Sequence, residues 1–211
     1  FPNTINTFSR PMSSGVPGTP KSLTAKVFGG DFYADVVLLL ADEPQFGVFA
    51  ELQNARLEQC GDVTQSDQLL GKFSMTVNLW GTSSLNSLGG RGDLRLEEAD
   101  IYHLPAMVSM LKLLSVKEPT TNAFSNAEAS FRIAGQHLFF DKMNFRGDAI
   151  SLYGTGEMDF NKRVNMSFYP RVGKGDYYIP VIHDVFRGVS RNVLRIRLEG
   201  PVNQLQIHRE S

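Results

Sequence analysis

The segment Ile150-Ser-Leu-Tyr-Gly-Thr-Gly-Glu-Met-Asp-Phe160 decides the fold class, because glycine and apolar residues alternate in it with polar ones. Alternation with a period of two is typical of a β-strand with one apolar face and one solvated face. Within it, residues 154–160 follow the order glycine, any residue, glycine, polar, apolar, polar, apolar. Residues 90–96 repeat that order, and looser copies begin at Gly30 and Gly71. The sequence therefore predicts many half-apolar strands in series.

Further alternating segments fill most of the chain after residue 21 and predict a curved, mostly antiparallel sheet of roughly ten to twelve strands. They are residues 23–27, 31–40, 46–53, 70–80, 90–102, 127–133, 139–145, 150–160, 164–168, 193–198 and 202–207. A helix competes for 46–53, whose Ala, Glu, Leu and Gln favour helices, but the flanking alternation favours a strand. In 90–102 the apolar side changes parity near Glu97, which predicts a β-bulge.

Two segments have helical spacing and predict two short apolar helices. Residues 104–116 begin with Pro105 in the first turn and are apolar around most of the circumference. Residues 179–189 repeat apolar side chains at i, i+1, i+4, i+5 and i+8 after Pro180. We expect both helices to cover the sheet as a lid or a plug. The side chains expected to do so are Met107, Met110, Leu111, Leu114, Val185 and Phe186.

Composition limits the class of protein and its organisation. Residues 1–21 contain four prolines and predict a linker or poorly ordered arm, so that 22–211 form one domain. A net charge of −1 gives no electrostatic argument for a nucleic-acid partner. The single Cys60 excludes an internal disulfide. No apolar run is long enough for a membrane-spanning helix and no signal peptide is recognisable, and the start at Phe1 predicts a piece of a longer protein.

Catalytic and metal-binding patterns are absent from the sequence. The histidines His103, His137, His183 and His208 lack metal-site spacing, and no nucleophile elbow or phosphate-binding loop occurs. We therefore expect no enzyme activity, no metal and no cofactor. Arg195 and Arg197 share one strand face near the C-terminus. They predict either a solvated outer face or a rim that meets the phosphates of lipid headgroups.

The apolar strand faces are the candidate binding surface, and two interpretations are open. The side chains could fill a closed protein core, or they could line a groove for acyl chains, which gain about 0.8 kcal/mol for each buried CH₂. Phenylalanine and methionine suit adaptable apolar contacts of that kind. The candidates are Phe73, Met75, Val77, Leu79, Phe131, Ile133, Phe139, Met143, Ile150, Leu152, Met158, Phe160, Met166 and Phe168.

From residue 21 to 207 the chain resembles the C-terminal region of the AsmA-like family of bacterial envelope proteins, which includes the TamB and YhdP types. The resemblance rests on G-G-D-F-Y-A-D at 29–35, L-L-G-K-F at 69–73 and S-L-Y-G-T-G at 151–156. It rests also on the block 89–104 followed by Pro105 and an apolar helical segment. The closing element at 193–201 departs from the family pattern, because glycine and proline are adjacent in it.

The resemblance implies a setting and a role. It implies a groove-shaped or taco-shaped β-sheet in the periplasm, in a parent protein anchored in the inner membrane by a segment outside this sequence. The implied function is phospholipid transport between membranes or support of outer-membrane assembly. Implied partners are phospholipid, neighbouring β-groove modules of the parent chain and outer-membrane proteins. The alternative function is a structural or interaction scaffold with a closed core and no lipid.

Overall fold

The computed structural model describes residues 22–40, 42–60, 70–99, 107, 110, 126–147, 150–172 and 195–210. These residues form one open, curved sheet of eleven strands, in which each strand pairs antiparallel with the next strand along the chain. The strands are β1 (Leu23–Val27), β2 (Gly30–Leu39), β3 (Gln45–Arg56), β4 (Lys72–Gly81), β5 (Gly89–Glu97), β6 (Asn126–Ala134), β7 (His137–Arg146), β8 (Ile150–Asp159), β9 (Arg163–Val172), β10 (Arg195–Pro201) and β11 (Gln206–Glu210). The prediction of a mainly antiparallel curved sheet is confirmed, and residues 46–53 lie in a strand.

The register places the apolar residues of successive strands on one side of the sheet. A single row of direct cross-strand partners runs from β2 to β10 and contains only apolar residues and glycine. Its members are Phe32, Leu52, Met75, Leu94, Ala129, Met143, Gly154, Phe168 and Ile196. We call the side of the sheet that carries this row the apolar face, and the opposite side the polar face. The period-two alternation of the sequence is therefore translated into one broad apolar surface.

The glycine motifs lie on the apolar face, where they make room for neighbouring rings. Gly92 is the direct partner of Phe131, and a Cβ added to Gly92 would lie 2.6 Å from Cζ of that ring. Gly154 is the direct partner of Phe168, and its added Cβ would lie 2.5 Å from the Phe168 ring. In both pairs the phenylalanine ring occupies the space that a side chain at the glycine would fill. At these two glycines the apolar face therefore carries one ring where two side chains would otherwise lie side by side.

A β-bulge in β7 moves one predicted groove residue to the polar face. The register shifts between Phe140 and Met143 against β8, because β7 carries an extra residue there. Phe139 is therefore the partner of Arg132, whose guanidinium lies 5.4 Å from the centre of its ring. The prediction that Phe139 shares the apolar face is wrong, and its neighbour Phe140 takes that position.

Two predicted strand ends also differ from the structure. Strand β8 ends at Asp159, and Phe160 lies in the following turn with 46% of its surface exposed. Strand β5 ends at Glu97, and Glu98 follows it in the left-handed region with a φ of 52°. The change of apolar parity near Glu97 thus marks the end of a strand rather than a bulge inside one.

No helix of seven or more residues occurs in the described part of the chain. Of the first predicted helix only Met107 and Met110 are described; both are helical and buried. Leu111 and Leu114 lie outside the described residues, as do Val185, Phe186 and the whole of the second predicted helix. The predicted arm at 1–21 lies outside them too.

Candidate functional site

The two ends of the strands differ in how they are connected. The short connections at 40–44, 82–88, 135–136, 160–162 and 202–205 lie along one edge of the sheet, which we call the turn rim. The opposite edge, the loop rim, receives the connections at 28–29, 57–71, 98–125, 147–149 and 173–194. Because every connection joins adjacent antiparallel strands, successive connections lie alternately at the loop rim and at the turn rim.

The apolar face is closed in the half next to the loop rim. Leu152 and Ile196 are 0% exposed there, and Met107 and Met110 pack against the sheet from the connection at 98–125. The full cluster contains Ala99, Met107, Met110, Ala127, Met143, Ile150, Leu152, Phe168, Ile196 and Leu198. This half is an ordinary hydrophobic core, formed where side chains from strands and from a connection meet.

The apolar face is open in the half next to the turn rim. Leu38 is 66% exposed and Val36 is 45% exposed, although both belong to the same face as the buried cluster. Val164 is buried there at 9% exposure, but most other apolar-face side chains of this half are only half-buried. They are Phe46, Val48, Val77, Leu79, Phe131, Ile133, Leu138 and Met158. The same surface therefore passes from a filled core to an uncovered apolar layer.

The predicted groove residues divide between these two halves. Those buried in the closed half are Met143, Ile150, Leu152 and Phe168. Those that are half-buried on the apolar face are Phe73, Met75, Val77, Leu79, Phe131, Ile133, Met158 and Met166. The candidate set omitted the apolar-face residues of β1 to β3, although their alternation was visible. It also omitted Phe140, which takes the position on the apolar face that was predicted for Phe139.

The polar face carries ion pairs between neighbouring strands. Arg132 donates to both carboxylate oxygens of Asp141, with distances of 2.7 Å from Nε to Oδ2 and 2.9 Å from Nη2 to Oδ1. This hydrogen bonding lowers the pKa of Asp141 below its usual value. Asp141 belongs to the bulged stretch of β7, so the bulge both displaces Phe139 and supplies a partner for Arg132. Such pairs belong on a solvated surface.

Arg195 and Arg197, the predicted headgroup-rim residues, lie on the polar face and are already paired. Arg195 donates from Nε to Oε2 of Glu210 at 2.6 Å, and this bond lowers the pKa of Glu210. Arg197 forms ion pairs with Glu199 at 2.6 Å and with Glu210 at 3.5 Å. Both arginines are therefore engaged in ion pairs with glutamates on a solvated face of the sheet.

A shallow depression of about 480 Å³ crosses the polar face from β3 to β7. Carboxylates, hydroxyls and amides line it together with two cationic side chains, Arg95 and Lys142. Its carboxylates have partners within the sheet: Asp93 accepts a hydrogen bond from Ser130, and Glu128 pairs with Arg146. This polar lining does not suit a hydrocarbon chain.

The described ranges contain neither a metal-binding cluster nor a membrane-spanning helix. No group of three or more His, Cys, Asp or Glu side chains there could hold a metal ion. No helix in the same ranges has the length and hydrophobicity needed to cross a bilayer. The exposed Cys60 has a pKa raised by burial of its thiol and by the nearby carboxylate of Glu58.

Comparison of the chain with protein-family models, with curated proteins and with solved structures yields no significant match.

Proposed function

We propose that this chain is a non-catalytic module that shelters lipid acyl chains on the open half of its apolar face. The observation that carries the proposal is the change in burial along that face, from 0% exposure at Leu152 to the half-buried Leu79 and Ile133 in strands that are paired on both sides. Large uncovered apolar surfaces are rare on soluble proteins and usually meet another apolar partner. A hydrocarbon chain is the partner that matches a surface without buried polar groups.

The dimensions of the sheet suit such a ligand. Ten steps between eleven strands, at about 4.8 Å each, give the apolar face a contour length of about 48 Å across the strands. That length exceeds the extended acyl chain of a phospholipid. In the middle of the sheet the Phe131 ring packs against the backbone at Gly92, and the Phe140 ring packs edge-on beside it. The polar face, with its ion pairs, would remain in water.

The family resemblance supplies the proposed setting. In that setting the module lies in the periplasm of the bacterial envelope, joined in series to similar modules of a membrane-anchored parent. Its role there would be phospholipid transport or outer-membrane biogenesis, with phospholipid and outer-membrane proteins as partners. These proposals rest on the motifs at 29–35, 89–104 and 151–156.

A scaffold with a closed core is the second candidate, and the cluster beneath Met107 and Met110 favours it. That half of the face is filled by the chain's own side chains, with exposures of 3% and 1% for the two methionines. If a similar covering extended over the whole face, no lipid could enter. The two candidates therefore make opposite predictions for the half next to the turn rim.

The substitution Val77→Arg separates the two candidates. Val77 lies on the open half of the apolar face, between Ala50 and Gly92. In a groove the variant folds, because the long side chain can reach solvent, but phospholipid no longer co-purifies with it. In a closed core the buried charge costs several kcal/mol and the variant unfolds.

The measurements are native mass spectrometry for bound phospholipid and thermal unfolding for stability. Thr76→Arg is the matched control, because Thr76 lies on the polar face of the same strand opposite Asp93 and Glu51. The control should retain both stability and lipid. Absence of phospholipid from the unmodified protein, together with unfolding of the Val77→Arg variant, would establish the scaffold instead.

A further inference from the structure

Three turns of the turn rim expose a large apolar residue at the same position. Each turn is closed by a hydrogen bond from the backbone N–H of its fourth residue to the carbonyl of its first: 3.0 Å in 84–87, 3.0 Å in 159–162 and 2.8 Å in 201–204. The apolar residue is the second of the four, a position where proline and small polar residues are usual. Its exposed fraction is 60% for Leu85, 46% for Phe160 and 49% for Val202.

These turns are joined into one continuous edge. The N–H of Gly135 donates to the carbonyl of Leu88 at 2.7 Å, and that of Phe160 donates to the carbonyl of Gln136 at 3.0 Å. The N–H of Val202 donates to the carbonyl of Lys162 at 2.9 Å. Backbone hydrogen bonding beyond the strand ends therefore fixes the three side chains in a row on a rigid support.

The spacing of the row decides what kind of partner it fits. The turn at Leu85 is four strands from the turn at Phe160, and Val202 is two strands further, which gives separations of about 19 and 10 Å. Polar residues such as Asn86, Gln136 and Asn161 lie between them. A stable protein interface needs about 800 Å² per partner with a continuous apolar centre. Leu40, which is 90% exposed in the connection at 40–44, adds a further apolar side chain to this rim about 10 Å from the turn at Leu85. Side chains separated by polar gaps do not provide a continuous apolar centre, whereas a fluid lipid surface deforms around each one.

We propose that the turn rim docks on the surface of a lipid bilayer through Leu85, Phe160 and Val202. The three side chains enter the interface, and the polar residues between them remain at the level of the headgroups. Lys162 and Arg163, both exposed, follow Phe160 and bring positive charge to the phosphate level. Docking at this rim places the open half of the apolar face next to the membrane. The inference therefore rests on the proposed function, since a lipid-binding groove needs access to a source of lipid.

The test is flotation of the purified chain with phosphatidylcholine vesicles. The unmodified protein should float, and the triple variant Leu85→Ser, Phe160→Ser, Val202→Ser should bind on the order of ten- to a hundredfold more weakly. The matched control removes the exposed apolar residues Phe28 and Leu70 near the loop rim, as Phe28→Asn and Leu70→Ser. Asparagine suits Phe28 because the φ of that residue is 50°. The control should bind like the unmodified protein.

Trp80, the single tryptophan, reports which edge is in contact, because it lies next to the last residue of β4 beside the turn at 82–88. Vesicles of brominated phosphatidylcholine should quench its fluorescence in the unmodified protein and not in the triple variant. Lack of flotation, unchanged binding of the triple variant or absence of quenching would each overturn the inference. The inference would also fail if the unmodified protein formed an oligomer that the triple substitution dissociates, while neither protein bound vesicles.

Failure of the docking inference is distinguishable from failure of the lipid-binding function. Native mass spectrometry of the triple variant should still show bound phospholipid, because the three turn residues lie outside the groove. If the protein bound vesicles but carried no bound phospholipid, the docking inference would be supported and the lipid-binding groove would be contradicted.

Discussion

The two halves of the apolar face are built from the same strands and the same kinds of side chain, yet they differ in burial. Leu152 in β8 is 0% exposed, whereas Leu38 in β2 is 66% exposed. The difference follows partly from strand pairing, because β1 pairs with β2 only as far as Ala34 and leaves Leu38 at the sheet edge, and partly from the connections. Long connections at the loop rim carry apolar residues such as Met107 and Met110 back onto the sheet. The short turns of the opposite rim carry mostly polar residues and cannot cover the face.

The largest expected effect comes from truncating a leucine in each half. Leu152→Ala should lower the free energy of unfolding by about 2–5 kcal/mol, because it leaves a cavity in a filled core. Leu38→Ala should change it by less than about 0.5 kcal/mol, because that side chain is already solvated. Urea titration followed by circular dichroism measures both. An equal loss in the two variants would mean that the turn-rim half is covered in solution, and the groove proposal would fail.

A smaller effect is expected from Gly154→Ala in the closed half. The new methyl group would meet the Phe168 ring at 2.5 Å, and Phe168 is only 3% exposed and cannot move freely. We expect a loss of about 1–3 kcal/mol from overpacking. Thr155→Ala, on the polar face of the same strand, is the control and should be nearly neutral.

The double variant Gly154→Ala, Phe168→Leu sharpens this prediction. The smaller leucine relieves the clash. The double variant should therefore lose less unfolding free energy than the sum of the losses of the two single variants. Strict additivity would show that the ring does not lie over the glycine.

The smallest effect is expected on the polar face, from Asp141→Asn. The hydrogen bonds from Arg132 lower the folded-state pKa of Asp141 below its ordinary value. The pair therefore contributes stability above that value, and the contribution is lost as the pH falls through the lowered folded-state pKa. The stability difference between the parent and the variant should be small at neutral pH and should vanish in strong acid. Thermal unfolding across acidic pH measures it.

Other carboxylates, including Glu210, titrate in the same acidic range, but they are present in both proteins and cancel in the difference. A difference that grows on acidification would contradict the assigned ion pair.

The sequence predicted the sheet and its apolar face because period-two alternation determines which side chains share a side. It failed where a single backbone position altered the register. The extra residue at Asp141 exchanged the faces of Phe139 and Phe140. Its trace in the sequence is the change of apolar parity from Leu138 and Phe140 to Met143 and Phe145. Phe160 continues the alternation by one residue, but the turn that follows begins at Asp159.

Burial along the strands could not be predicted from the sequence. Leu38 and Leu152 have the same residue type, but Leu152 is paired on both sides, with Phe145 and Pro170, whereas Leu38 lies in the part of β2 beyond its pairing with β1. That pairing is a tertiary property that the alternation of the sequence does not reveal. The row at the turn rim was also missed, because an apolar residue at the second position of a turn is noticed only when the hydrogen bond closing the turn is known.

The strict neighbour-to-neighbour pairing of the strands has a consequence for how such proteins change size. Removing or duplicating a two-stranded hairpin would leave every other pairing intact, since no pairing spans another. Such a chain can be lengthened by small gene duplications, each of which extends the surface by about 10 Å. Selection or protein engineering can thus change the width of the sheet in uniform steps of one hairpin.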